Sequence, residues 1–145
     1  WIILTVLLLI PKKTRKAGMA AAFALLISLV ITNVCIKNAV ARIRPYEVID
    51  GLRLMIEKQK DFSFPSGHTS ASFAAACAFY RTLPKNWGIA AIVLAALISL
   101  SRLYVGVHYP SDVLGGVVIG ILSAFIALFL LSKMEIYKQN EGNIS

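Results

Sequence analysis

Acidic side chains are scarce in this chain. Its 145 residues hold 7 Asp and Glu against 15 Lys and Arg, and charged residues of both signs make up only 15% of the total. A soluble domain usually carries about a quarter, so ionic groups are too few here to cover an ordinary water-facing surface. The two cysteines, Cys35 and Cys77, lack the spacing of a zinc site or a disulfide framework and read as small apolar side chains within helices. No cluster of carboxylates, His or Cys has metal-ligand spacing, so neither a metal nor another cofactor is expected. No basic run is interleaved with aromatics, which argues against a nucleic-acid partner despite the formal charge of +8. The chain lacks an initial Met, a basic segment ahead of its first apolar stretch and a small-residue cleavage site behind it. A signal peptide is therefore not indicated, and the chain is expected to begin inside a helix, truncated at its N-terminus.

What the chain has in abundance is apolar sequence. Hydrophobic residues make up 58% of it, and the mean hydropathy is +0.74. Ala17 to Ile36 and Val113 to Ser132 are each 20 residues without Asp, Glu, Lys or Arg. As helices each would extend about 30 Å, the thickness of a bilayer's hydrocarbon core. Phe62 to Tyr80, interrupted only by His68, and Asn86 to Ser101 are shorter runs that read as two more spanning helices. Trp1 to Ile10 is too short to span and reads as the end of a helix. The fold expected is all-α: one domain over residues 1–145, a polytopic transmembrane bundle with about five helices. A long polar loop is expected from Lys37 to Asp61, and a frayed polar tail from Lys133 to Ser145.

Alternating helices sort the loops onto two sides of a membrane. One side receives Lys12, Lys13, Arg15, Lys16, Arg81, Lys85, Lys133 and Lys138; the other receives Lys37, Arg42, Arg44, Arg53, Lys58, Lys60 and Arg102. If Lys37, Arg44 and Arg102 are set aside as ligand-binding groups, the first side is the more basic, and the positive-inside rule places it in the cytoplasm. The expected location is a cytoplasmic membrane, with the second set of loops facing outward.

Three short motifs fall on that second side. In Lys37-Asn-Ala-Val-Ala-Arg-Ile-Arg44-Pro45 the two cations stand seven residues apart, about two helical turns, so one helical face would present both to one anion. Read alone, they fit interfacial snorkelling or attraction to lipid headgroups better than a ligand site. In Pro65-Ser66-Gly67-His68, Ser66 suits an N-cap and Gly67 admits a ligand close to the backbone, so the first amides of a following helix would cradle a phosphate beside His68. A capping or hydrogen-bonded interfacial histidine is the plainer alternative. In Ser101-Arg102-Leu-Tyr-Val-Gly-Val-His108-Tyr-Pro-Ser-Asp112, Pro110 opens a helix and Asp112 falls in its first turn, within reach of the His108 imidazole. The alternative is an Asp that complements the helix dipole beside a solvated His. Together the motifs supply what phosphoryl transfer needs: cations from Lys37, Arg44 and Arg102, a nucleophile in His108 oriented by Asp112, and an acid in His68.

Lys37-x6-Arg44-Pro45, Pro65-Ser66-Gly67-His68 and Ser101-Arg102-x5-His108-x3-Asp112 resemble, in order and at all eleven specified positions, the signature of the type 2 phosphatidic acid phosphatase superfamily. The resemblance implies a bundle of six spanning helices, about five of them in this chain, in a bacterial cytoplasmic membrane, and a phosphohistidine intermediate on His108 oriented by Asp112. It implies that His68 protonates the leaving group, that Lys37, Arg44, Ser66, Gly67 and Arg102 bind the phosphoryl oxygens, and that no catalytic metal takes part. Soluble acid phosphatases and vanadium haloperoxidases share the signature, and the charge-free spans argue against both. The expected function is a lipid phosphate or diphosphate phosphatase, with undecaprenyl diphosphate ranked first. Phosphatidylglycerophosphate and phosphatidate are the alternative substrates, and a noncatalytic lipid-binding or transport protein is the rival from another class. The loop from Tyr46 to Phe64, which holds Glu47, Asp50, Arg53, Glu57, Lys58, Lys60 and Asp61, is expected to shape headgroup choice.

Overall fold

A computed structural model describes residues 1–52 and 54–142; Arg53, residues 143–145 and the side chains from Glu135 onward, Lys138 among them, lie outside the described residues. All regular structure among the described residues is helical. Helix α1 (Ile2–Leu9) turns back into α2 (Arg15–Leu29), which continues through a π-helical segment, Val30–Ile36, into the single turn α3 (Lys37–Val40). The short α4 (Pro45–Val48) follows, and then α5 (Gly67–Thr82), α6 (Lys85–Tyr104) and α7 (Pro110–Gly142).

Local chemistry accounts for the boundaries. A helix end leaves its last carbonyls without partners. At the end of α1, Thr14 Oγ1 donates to Leu8 O at 3.0 Å and Arg15 Nε to Leu9 O at 3.2 Å. Ser66 caps α5 by accepting from the Thr69 amide, and from the Thr69 hydroxyl at 3.0 Å. Pro110 opens α7, with Asp112 in its first turn.

Three expectations need correcting. The helix expected to start near Phe62 starts at Gly67, because Pro65 disfavours helical geometry at Phe64 and the Ser63 amide is committed to Arg42 O at 2.8 Å. The loop expected from Lys37 onward keeps helical structure through Val40 and again over α4. The tail expected to fray from Lys133 continues helix α7 to Gly142.

The packing is inverted relative to a soluble protein. Among the described residues three helical stretches, Arg15–Val48, Lys85–Tyr104 and Pro110–Met134, are long and apolar enough to cross a membrane, although the first is broken at Ala41–Arg44. Their large side chains point outward, as at Leu97 (59% exposed) and Phe129 (60%), where only lipid would cover them favourably. The core is built instead from small residues: Ala20, Ala21, Ala24, Ala74, Ala75, Ala78, Ala124 and Ala127, closed by Phe79 and Leu131. The 16-residue α5, only about 24 Å long at 1.5 Å per residue, is the central helix and packs on α2, α6 and α7.

Glycines let α7 lie almost backbone to backbone on α5. A Cβ at Gly116 would stand 2.8 Å from Ser66 O, and one at Gly120 would stand 2.6 Å from Ser70 O and 2.7 Å from Phe73 Cβ. Close approach of this kind is how helices associate where apolar burial gives no advantage over lipid. Replacing Gly120 with Leu is expected to cost about 1–3 kcal/mol through overpacking. Thermal unfolding in detergent measures it, and an unchanged midpoint would contradict this contact.

Candidate functional site

The three motifs meet at one end of the bundle, where α3 ends, α5 begins, α6 ends and α7 begins. There a cavity of about 310 Å³ is lined by Lys37, Arg44, Gly67, His68, Arg102 and His108, together with Asn33, Ile56, Gln59 and Asp61. Of the residues singled out in the sequence, Ser66 and Asp112 stand behind this wall.

Lys37 and Arg44 reach the cavity by a route other than the one their spacing suggests. The helix stops at Val40, Ala41 takes a left-handed conformation (φ 48°), and Arg44 is extended (φ −78°, ψ 153°), so the two do not share a helical face. A carboxylate bridges them. Asp61 pairs with Lys37 Nζ through Oδ2 and with Arg44 Nη2 through Oδ1 at 2.5 Å. Arg44 is further fixed by main-chain carbonyls, through Nε to Asp61 O at 2.8 Å and Nη1 to Val107 O at 2.9 Å. Both cations are almost fully buried, Lys37 at 5% and Arg44 at 3% exposed, and burying a charge without a partner is expensive. Partial burial opposes ionisation of Asp61, but hydrogen bonds and positive charge from Lys37 and Arg44 outweigh it and hold the carboxyl below the usual carboxylate range. Asp61 was legible only as one of several loop charges. The signal that points to it is a lone acid shortly before Pro65, in a site that needs a counter-ion for two cations.

His108 and Asp112 are both buried, and Nδ1 of His108 lies 3.5 Å from Oδ2 of Asp112, at the outer limit of a hydrogen bond, with no other partner. Gly106, at φ 75°, provides the turn between α6 and His108 that few other residues tolerate. Asp112 is held from three further directions: Ser63 Oγ donates to Oδ2 at 2.5 Å, the Tyr109 amide to Oδ2 at 2.8 Å, and Arg42 Nη1 to Oδ1 at 2.8 Å. Arg42 also stacks over the Tyr109 ring, 3.9 Å from its centroid, and donates to Ser111 Oγ at 2.7 Å. Neither Arg42 nor Ser63 stood out in the sequence as a site residue, because their common partner is about 50 to 70 residues away.

Ser66 is buried, its side chain engaged with Thr69 and its amide donating to the Asp112 carbonyl at 3.0 Å. As its sequence position suggests, it caps α5; it also ties the second motif to the third, and it is not among the residues that line the cavity, where the resemblance implies a phosphoryl contact. Gly67 does face it: a Cβ there would come within 3.6 Å of Asn33 Oδ1 and 3.8 Å of Lys37 Nζ, filling the wall. His68 is exposed at the same turn of α5, whose first amides have no acceptor within the helix. Arg102, at the last turn of α6, hydrogen-bonds Ser101 Oγ at 3.1 and 3.2 Å; no carboxylate among the described residues is shown pairing with it. The arrangement offers an anion one guanidinium without a carboxylate partner, two cations already shared with Asp61, and an imidazole on either side.

Ser63→Ala is expected to destabilise the protein by about 1.5–3 kcal/mol, because it removes a hydrogen bond to a buried charge. Ser111→Ala, at an exposed hydroxyl, should be nearly neutral. Thermal unfolding of the pair checks this, and equal effects would contradict the role given to Ser63.

Comparison with known proteins follows the same residues. A sequence profile of the PAP2 superfamily matches residues 17–135. The chain is 38% identical over 138 residues to an undecaprenyl-diphosphatase of Sulfolobus acidocaldarius, covering 95% of this chain and 66% of that protein. Its fold is similar to the crystal structure of Aquifex aeolicus LpxE, with a TM-score of 0.78 and 27% identity over 87% of this chain and 74% of that one. It is also similar to a transmembrane PAP2 type phosphatidylglycerolphosphate phosphatase from Bacillus subtilis, with a TM-score of 0.70 and 28% identity over 91% of this chain and 67% of that one. The chain spans 66%, 47% and 56% of the length of three curated relatives it matches. With all three motifs around one cavity and helices apolar enough for a bilayer, this chain is a membrane protein that belongs to the PAP2 superfamily.

Proposed function

We propose that the protein is a lipid phosphate phosphatase that works through a phosphohistidine on His108. The observation that carries this reading is the single cavity lined by Lys37, Arg44, Arg102, His68 and His108. Lys37, Arg44 and Arg102 draw charge from the phosphoryl oxygens as it develops, with the amides of Gly67 and His68 at the start of α5. Nδ1 of His108 faces Asp112, which leaves Nε2 to attack phosphorus. Asp112 stabilises the positive imidazole that results. His68 donates a proton to the departing lipid oxygen, then takes one from the water that attacks the phosphohistidine.

The bundle geometry favours a lipid. Helix α5 is about 6 Å shorter than a hydrocarbon core of about 30 Å, and its start lies beside the first turns of α7, where the Ser66 amide donates to Asp112 O at 3.0 Å. A headgroup enters there while its tail stays beside outward-facing side chains such as Leu97 and Leu114. Undecaprenyl diphosphate is the favoured substrate, because 38% identity to the Sulfolobus acidocaldarius undecaprenyl-diphosphatase extends over 95% of this chain. Phosphatidylglycerophosphate is the second choice, on the likeness to the Bacillus subtilis enzyme. With Lys37, Arg44 and Arg102 set aside as ligand-binding groups, Lys and Arg are in excess on the side opposite the cavity, which favours a cytoplasmic membrane with the cavity facing outward.

His108→Ala is expected to lower phosphate release from the detergent-solubilised protein by more than about 10⁴-fold, and undiminished release would dismiss the assigned nucleophile. His68→Asn is expected to slow turnover about 10²–10⁴-fold, most for substrates with poor leaving groups; equal slowing across leaving groups would count against an acid. A phosphate-release panel of undecaprenyl diphosphate, phosphatidylglycerophosphate and phosphatidate, run with a chelator, ranks the substrates. Loss of all activity on chelation would contradict a metal-free mechanism.

A further inference from the structure

The two most buried cations of the cavity are already occupied. Lys37 and Arg44 both direct their charge at Asp61, one to each carboxylate oxygen. A phosphoryl group seated between them would present two oxygens in the same way. Asp61 differs from its partners in exposure: its side chain is 52% exposed, whereas those of Lys37 and Arg44 are 7% and 4% exposed. It lies on the segment between α4 and α5, which also brings Ile56 and Gln59 to the cavity wall. The guanidinium of Arg44 does not depend on the Asp61 carboxylate for its place, since it is also held by the carbonyls of Asp61, Phe62 and Val107 at 2.8, 3.4 and 2.9 Å.

We infer that Asp61 is a built-in competitor at the phosphate site, whose carboxylate occupies the place of two phosphoryl oxygens on Lys37 and Arg44 and swings out when a phosphate seats. This rests on reading the cavity as a phosphate site and adds a rule for what enters it. A ligand that must displace Asp61 binds with its intrinsic affinity reduced by the fraction of protein in which the cations are free. The factor is the same for every anion, but its effect on occupancy is not. Phosphodiester headgroups crowd a membrane surface and carry one negative charge, so their weak affinity falls below what occupies the site. A terminal phosphate, with about two negative charges, stays above that threshold. Asp61 thereby keeps a membrane-embedded cavity from being filled by the bilayer around it.

Two probes of fixed charge test this: sulfate, a dianion, and dimethyl phosphate, a monoanionic diester. Calorimetric titration of the detergent-solubilised protein is expected to show both binding Asp61→Asn more tightly than wild type, by a similar factor of about tenfold or more. Asp61→Ser, which lacks an amide to hold Arg44, should show the same gain, so the result does not hang on one variant's packing. Dimethyl phosphate should inhibit phosphate release by Asp61→Asn at concentrations that leave wild type unaffected. In wild type, sulfate should speed hydrogen exchange of the amides from Gln59 to Ser63 as the carboxylate lets go. Equal or weaker anion binding by both variants, or slower exchange with sulfate, overturns the competitor while leaving the phosphate site standing. Failure of wild type and variants alike to bind either probe overturns both.

Discussion

A single buried carboxylate organises the whole site. Asp112 is fully buried, and a charge in that position is tolerated only if donors surround it. Its donors come from every part of the signature: Arg42 from the first motif, Ser63 from the approach to the second, the Tyr109 amide from the third, with His108 at 3.5 Å. Its own carbonyl accepts from Ser66, the N-cap of α5. The demand for partners therefore brings together segments that are distant in sequence, and the same contacts aim His108 into the cavity.

Asp61 does for the anion cradle what Asp112 does for the imidazole. Without ligand, it is the counter-ion that lets Lys37 and Arg44 be buried at the end of a membrane-type bundle. The bundle can hold such groups because its interior is otherwise small and closely approached: alanines fill the core, and Gly116 and Gly120 bring α7 onto α5. Rigid helix contacts of this kind set the ends of α5, α6 and α7 relative to one another, and the site is assembled from those ends. The π-helical segment before Lys37 belongs to the same design, since wider turns of this type recur near functional sites. It carries Asn33 to the cavity wall, while Thr32 donates to Ser70 on α5 at 3.0 Å.

What could be read from the sequence was set by range. The charge-free runs gave the helical class, because span length and composition are local properties. The pairing of His108 with Asp112 was legible because Pro110 marks the start of a helix between them. Lys37 and Arg44 were expected to meet on one helical face; they meet across Asp61, which pairs with both, and a left-handed Ala41 breaks the helix they were expected to share. Arg42, Ser63 and Asp61 carry no local pattern that marks them, since each is defined by a partner 17 to 70 residues away. The start of α5 was misplaced for a related reason: an apolar run does not distinguish helix from the irregular, bent approach in which Phe62 and Ser63 serve Arg44 and Asp112.

The central claim is that these groups converge to place a phosphoryl group on the His108 imidazole. Rapid quenching of turnover with a lipid phosphate labelled in its terminal phosphorus tests it most directly. The expected result is a transient label on the protein, stable to alkali and lost in acid, that maps to His108. Label on another residue, or product formed at full rate with no labelled protein at any quench time, would contradict the account.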